Sequence, residues 1–102
     1  MMRENRLRKC INENKPMVST RLWSANPWFT EAAGLTGHFD YIEFVAEYAP
    51  FDFTERPNSA RAAELNDMGT MIKVDLQNRA YVAQKAIQAG FQSILLVDHC
   101  TA

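Results

Sequence analysis

Thr70-Met71-Ile72-Lys73-Val74-Asp75, followed by Ala80 to Ala89, Gly90 and Ser93-Ile94-Leu95-Leu96-Val97, sets the architecture of this chain. Two β-branched or aliphatic runs flank a segment of helical character that ends on a glycine, which reads as strand, helix, strand. A crossover helix between consecutive strands makes them parallel. Side chains alternate along a strand, so Ile72 and Val74 share one face, suited to a helix layer, while Lys73 and Asp75 point the other way.

The same pattern extends toward the N-terminus. A helix is predicted from Asn58 to Met68, apolar at Ala62, Leu65 and Met68 and closed by Gly69, after a loop through Phe51, Phe53 and Pro57. Tyr41 to Ala46 forms the preceding strand, stopped by Pro50. Met17 to Trp23 forms the first strand, after which Asn26 caps a helix with Pro27 at its first position, running to Gly34 or Gly37. Before it, Leu7, Cys10 and Ile11 lie at helical spacing within Arg3 to Asn14, a short amphipathic helix ending at the Lys15-Pro16 breaker and suited to the bottom of a barrel.

Four strands and three crossover helices give an α/β class chain: a parallel half-barrel, the first four strands of a TIM-type (β/α)8 barrel, forming a single domain over residues 1–102. A complete barrel needs about 250 residues. The competing architecture, a four-stranded doubly wound sandwich, wants helices on both faces and an element covering the last strand, and no such helix follows Val97.

Composition narrows the class of function. The chain of 102 residues is 47% hydrophobic and 23% charged, with 11 Lys and Arg against 12 Asp and Glu, the balance of a soluble globular domain. A net charge of -1 without a basic stripe gives no case for nucleic acid. The longest apolar run, Ile94 to Val97, is far below the roughly 20 residues of a membrane span, and Met1 to Lys15 is charged throughout, with no signal core. A cytoplasmic protein without a membrane partner is expected. Cys10 and Cys100 share no zinc-type spacing and read as free thiols.

In a barrel, chemistry sits at the C-terminal ends of the strands. The residues there are Arg21 and Trp23, then Glu43, Glu47 and Tyr48, then Lys73 and Asp75, then Asp98 and His99. Strand parity places Ile42, Phe44 and Ala46 under the helices and Glu43, Val45 and Glu47 inside. Inward polar groups on neighbouring strands are costly unless paired or wet, so Glu43, Glu47, Lys73 and Asp75 mark either a functional cavity mouth or a structural salt-bridge network. Glu47 with Asp98 or His99 lacks the spacing of a metal site. His38, in a turn at the opposite end, reads as a solvated histidine. Trp23, Trp28, Phe29, Phe51 and Phe53 suit a pocket lining, core packing or an oligomer contact. There is no glycine-rich phosphate loop and no Ser-His-Asp order at an elbow.

The string from Phe39 to Asp52, FDYIEFVAEYAPFD, resembles the strand-two signature of the HpcH/HpaI family, class II pyruvate aldolases related to citrate lyase β subunits. The opening from Met2 to Leu7 with Lys15-Pro16, Thr20-Arg21-Leu22-Trp23, Ala62-Ala63-Glu64 with Met68-Gly69, Ile72-Lys73-Val74, and Ala86 to Gln92 follow in the family's order. The resemblance implies aldol cleavage of a 4-hydroxy-2-oxo acid, or its reverse, through a pyruvate enolate on a divalent metal, Mg²⁺ or Mn²⁺. Where the family carries Glu-His-Gly-Pro, this chain has Glu47-Tyr48-Ala49-Pro50, and in place of Arg-Val-Pro it has Lys73-Val74-Asp75. Tyr titrates near ~10 where His titrates near ~6.5, and Lys offers a point charge where Arg offers a planar fork. Acidic residues common in the family are also absent at Val45 and Gln88.

Carried over by position, Lys73 becomes the contact to the keto oxygen or carboxylate, Tyr48 the acid/base, and Glu47 an orienting group or holder of a metal-bound water. Trp23 becomes the pocket wall and Arg21 a substrate contact. The family's metal ligands come from strands five and six, beyond Ala102, so no metal ligand is assigned within this chain. The family also implies a homo-oligomer acting on a small 2-oxo acid. Two further readings stay open: a catalytically inactive remnant whose strand edges self-associate, and a small module binding a carboxylate through Lys73 and Arg21.

Overall fold

A computed structural model describes residues 3–46 and 54–98. The elements run α1 (Arg6–Asn12), β1 (Ser19–Leu22), α2 (Pro27–Leu35), β2 (Tyr41–Val45), α3 (Glu55–Leu65), β3 (Gly69–Val74), α4 (Arg79–Ala89) and β4 (Ser93–Leu96). The strands form one parallel sheet in the order β1-β2-β3-β4. Sequence order and spatial order coincide, so every crossover steps the same way. A doubly wound sheet requires a reversal of direction, and this one has none. The sheet is an α/β half-barrel.

Strand parity holds as read from the sequence. Ile42 and Phe44 of β2 and Ile72 and Val74 of β3 are fully or almost fully buried. They meet Ala33 of α2, Ala60 and Ala63 of α3, and Val82 and Ala86 of α4, so the three helices lie on one face. Burying large aliphatic and aromatic side chains there stabilises the sheet by about 1.5–3 kcal/mol each. Thr30 of α2 and Ser59 of α3 share a buried hydrogen bond of 2.7 Å at the helix–helix contact.

Helix ends follow local chemistry. Asn26 accepts from the Trp28 N–H at 3.0 Å, with Pro27 opening α2. Gly90 has φ 106°, and the Phe91 and Gly90 amides donate to the carbonyls of Ala86 and Ile87, the paired bonds of a Schellman turn. Asn14 (φ 53°) closes α1 and Asp67 (φ 54°) closes α3 by the same pairing. Asn and Asp tolerate this left-handed geometry better than other residues with a Cβ.

Two expectations are corrected. The third helix starts at Glu55, not Asn58, because Pro57 lies in its first turn, where the missing N–H has no partner to lose. It stops at Leu65 on the turn at Asp67, so Gly69 begins β3 and Met68 is buried between them. Leu65 therefore falls off the apolar face and is 85% exposed.

The N-terminal helix closes the end of the sheet where the strands begin. Arg6 pairs with Asp40 (3.1 Å) just before β2 and with Asp67 (3.2 Å) before β3. Arg3 donates to the Met68 carbonyl and to Gln92 Oε1, and Asn5 donates to the Gln92 carbonyl before β4. Leu7 is buried over Gly69, where a Cβ would lie 2.7 Å from its Cδ1. Among the described residues, no helix is long and apolar enough to cross a membrane.

Candidate active face

The face of the sheet without helices carries the polar side chains. Arg21, Glu43, Met71 and Ser93 occupy one register row, and Val45, Lys73 and Leu95 the next row toward the C-terminal ends. Arg21 Nε donates to Glu43 Oε2 at 2.8 Å. The pair is lopsided: Glu43 is 6% exposed, whereas the Arg21 side chain is 56% exposed. Glu43 Oε1 is buried without a hydrogen-bond partner. A buried carboxylate bonded to Arg21 in this way fixes where the guanidinium stands.

Lys73 is half-buried one row above, and Trp23 lies just past the end of β1, 59% exposed. Lys73 and Arg21 thus share the C-terminal half of this face. Glu47 and Tyr48 lie outside the described residues, as do His99, Cys100, Phe51 and Phe53.

The cluster read from the sequence is rearranged. Glu43 joins Arg21 on the strand before it, and the Asp75 carboxylate turns back to accept from the Asn78 N–H and Nδ2 at the entrance to α4. Register between strands brings Arg21 to Glu43, and no spacing in the sequence encodes it. Trp28 and Phe29, considered for core packing, are 76% and 56% exposed in the first turn of α2. His38 is exposed in the turn after Gly37, and Cys10 is a free thiol.

Sequence reasoning missed Arg56. It is 1% exposed in the first turn of α3 and stands over the Phe44 ring with its guanidinium carbon 5.7 Å from the centroid. Reading Pro57 as a loop residue hid it, since an arginine one residue from a helix start would otherwise have been placed on a face.

A divalent metal needs several convergent oxygen or nitrogen donors. Among the described residues no three acidic, imidazole or thiol groups come together, and Glu43 alone does not make such a site. These residues do not fit a resident metal by themselves.

No family model matches the chain, and no curated protein matches it in sequence. Solved structures do. The chain matches citrate synthase SbnG over 88% of its own length with a TM-score of 0.79 and 17% identity, covering 36% of that chain. It matches the HpcH/HpaI aldolase from Desulfitobacterium hafniense DCB-2 over 89% of its length with a TM-score of 0.75 and 23% identity, covering 35% of that chain. The chain has the fold of part of an HpcH/HpaI-type barrel. It spans about a third of the length of the enzymes it matches. In this half-barrel, the face bearing Arg21, Glu43 and Lys73 is the one that turns toward a barrel axis, opposite the helices.

Proposed function

We propose that this aldolase-type half-barrel serves carbon–carbon lyase chemistry on a small 2-oxo acid, cleaving a 4-hydroxy-2-oxo acid to pyruvate and an aldehyde. The observation that carries the reading is the placement of two cationic side chains, Lys73 and Arg21, on the helix-free face near the C-terminal strand ends, with Arg21 held by a buried carboxylate. A 2-oxo acid offers a carboxylate and a keto oxygen, and two fixed cations suit both.

In the cleavage the C4 hydroxyl loses its proton, the C3–C4 bond breaks to release the aldehyde, and its electron pair passes to the C2 carbonyl as an enolate. Protonation at C3 then gives pyruvate. Lys73 supplies positive charge where the enolate oxygen develops, Arg21 takes the carboxylate, and Trp23 walls the pocket. Tyr48 is the proposed proton carrier and Glu47 its orienting neighbour. The family chemistry uses Mg²⁺ or Mn²⁺, and no step here is routed through a metal.

The test is pyruvate release from a 4-hydroxy-2-oxo acid by the purified chain, with and without added Mn²⁺, compared with Lys73→Met. Release that falls by about 10²-fold in the variant supports the reading, on the scale of losing one electrostatic contact to a developing oxyanion. Equal release by both proteins rejects it. Saturable binding of pyruvate without any cleavage favours instead a carboxylate-binding module using the same two cations.

A further inference from the structure

Two carboxylates that strand parity brings near Lys73 are both engaged elsewhere. Glu43 gives Oε2 to Arg21 at 2.8 Å, and its Oε1 is buried with no hydrogen-bond partner, so neither oxygen meets the lysine. Asp75 accepts from the Asn78 N–H at 3.1 Å and from Asn78 Nδ2 at 3.0 Å, in the turn into α4. The structural salt-bridge network considered for this face is therefore not formed between Lys73 and either of them.

The surroundings of Lys73 along the sheet are of another kind. Its register partners are Val45, which is fully buried, and Leu95, both apolar. Arg21 stands on the same face with β2 between the two strands, its Cα about 10 Å across the sheet and about 7 Å along it from that of Lys73. Two long side chains span that gap with a small acid between them. A lysine set among apolar neighbours and near a second cation is the kind that serves as a nucleophile toward a carbonyl carbon.

We propose that Lys73 forms an imine with the keto carbon of the 2-oxo acid, an inference that rests on the proposed binding of such an acid at this face. Arg21 takes the carboxylate. The Lys73 ammonium draws the keto oxygen, gives up a proton to water, and the resulting amine attacks C2. A proton passes from nitrogen to oxygen to give the carbinolamine, which takes back a proton and loses its oxygen as water, leaving the iminium.

The C4 hydroxyl then loses its proton as the C3–C4 bond breaks and the aldehyde departs. The electron pair of that bond forms the C2–C3 double bond, and the C2–N π pair moves onto nitrogen, giving an enamine. Protonation at C3 restores the iminium, and water adds at C2 to release pyruvate and the Lys73 ammonium. The charge that Lys73 brings to the keto oxygen thus becomes the charge of the iminium, and the electrons return to the product without an outside oxidant or reductant.

The chain has four lysines, Lys9, Lys15, Lys73 and Lys85, so the bond can be located. The purified 102-residue chain is mixed with pyruvate and sodium cyanoborohydride, which reduces an iminium to a stable amine, and its peptides are read by mass spectrometry. One reduced pyruvate adduct per chain is expected, on Lys73, and none with the reductant alone. No adduct overturns the proposal, and so does one spread evenly over Lys9, Lys15 and Lys85.

Lys73→Arg keeps a cation in place and cannot make the bond. The variant is expected to lose the adduct and to lose pyruvate release from a 4-hydroxy-2-oxo acid down to the level seen without protein. Release at the unaltered rate shows that Lys73 acts by charge alone, and overturns the imine. An adduct on Lys73 in a chain that cleaves nothing ends the proposed lyase reaction and leaves the imine standing, whereas release without an adduct does the reverse. Should the variant not fold, the position of the adduct on the unaltered chain decides alone.

Discussion

Arg21 and Glu43 are Cα partners in neighbouring strands and are also joined side chain to side chain at 2.8 Å, with only the arginine reaching water. The two ends of this bond are therefore unequal. Arg21→Met strands a buried carboxylate and is expected to cost about 1–3 kcal/mol in urea denaturation. Glu43→Met leaves an arginine that rehydrates where it stands, and is expected to cost below about 1 kcal/mol. Equal costs would contradict the lopsided burial.

Asp40 is held below the usual carboxylate range, first by the Val18 amide that donates to it at 2.9 Å and then by Arg6. A depressed folded pKa contributes stability that is fully present above the unfolded pKa of about 3.9 and is lost as pH falls through the lower folded value. The chain should thus hold the Asp40 contribution through mild acid and lose it only at lower pH. Asp40→Asn is expected to flatten that acid limb in denaturation curves recorded against pH, and a limb of unchanged steepness would assign it to other carboxylates.

Gly34 sits in α2, where alanine ordinarily gains about 1 kcal/mol over glycine. Here a Cβ would fall 2.5 Å from Cβ and Cγ of Asn66 at the end of α3. Gly34→Ala is expected to destabilise by about 1–3 kcal/mol, as overpacking does. Adding Asn66→Gly should recover most of the loss, a coupling that thermal melts of the two single variants and the double variant would measure.

Thr30 and Ser59 satisfy each other where no water reaches. Thr30→Val should cost about 1–3 kcal/mol by leaving the Ser59 hydroxyl buried and alone. Thr30→Val with Ser59→Ala removes both polar groups and should be milder than the single change. Additive losses in chemical denaturation would mean that the hydrogen bond contributes little.

The parts of the fold legible in the sequence are those set by neighbours in the chain. Ile72 and Val74 against Lys73, the Asn26-Pro27 cap and the Gly90 stop all follow from short-range periodicity and backbone chemistry, and all stand in the structure. Asp67 stops α3 where the sequence points to Gly69, two residues on, because glycine is the commoner left-handed residue. The candidate site was legible as a set of residues at strand ends and illegible as a set of bonds. Arg21 and Glu43 are 22 positions apart, and only the register of β1 on β2 joins them. Asp75 went to Asn78 because a local cap three residues away competes ahead of any cross-strand partner.

The clamp of α1 onto the strand starts also bears on how the chain reaches its fold. Arg3 bonds to Gln92 across 89 positions and Asn5 across 87, so these residues find partners that lie far along the chain. Contacts of such span are slow to form, because a long loop must close before they repay it. Refolding should then run in two stages, with β1 to β3 and their helices assembling on local crossovers and α1 docking only after the Gln92 turn is in place. On a ribosome, α1 stays without these partners until Gln92 has emerged.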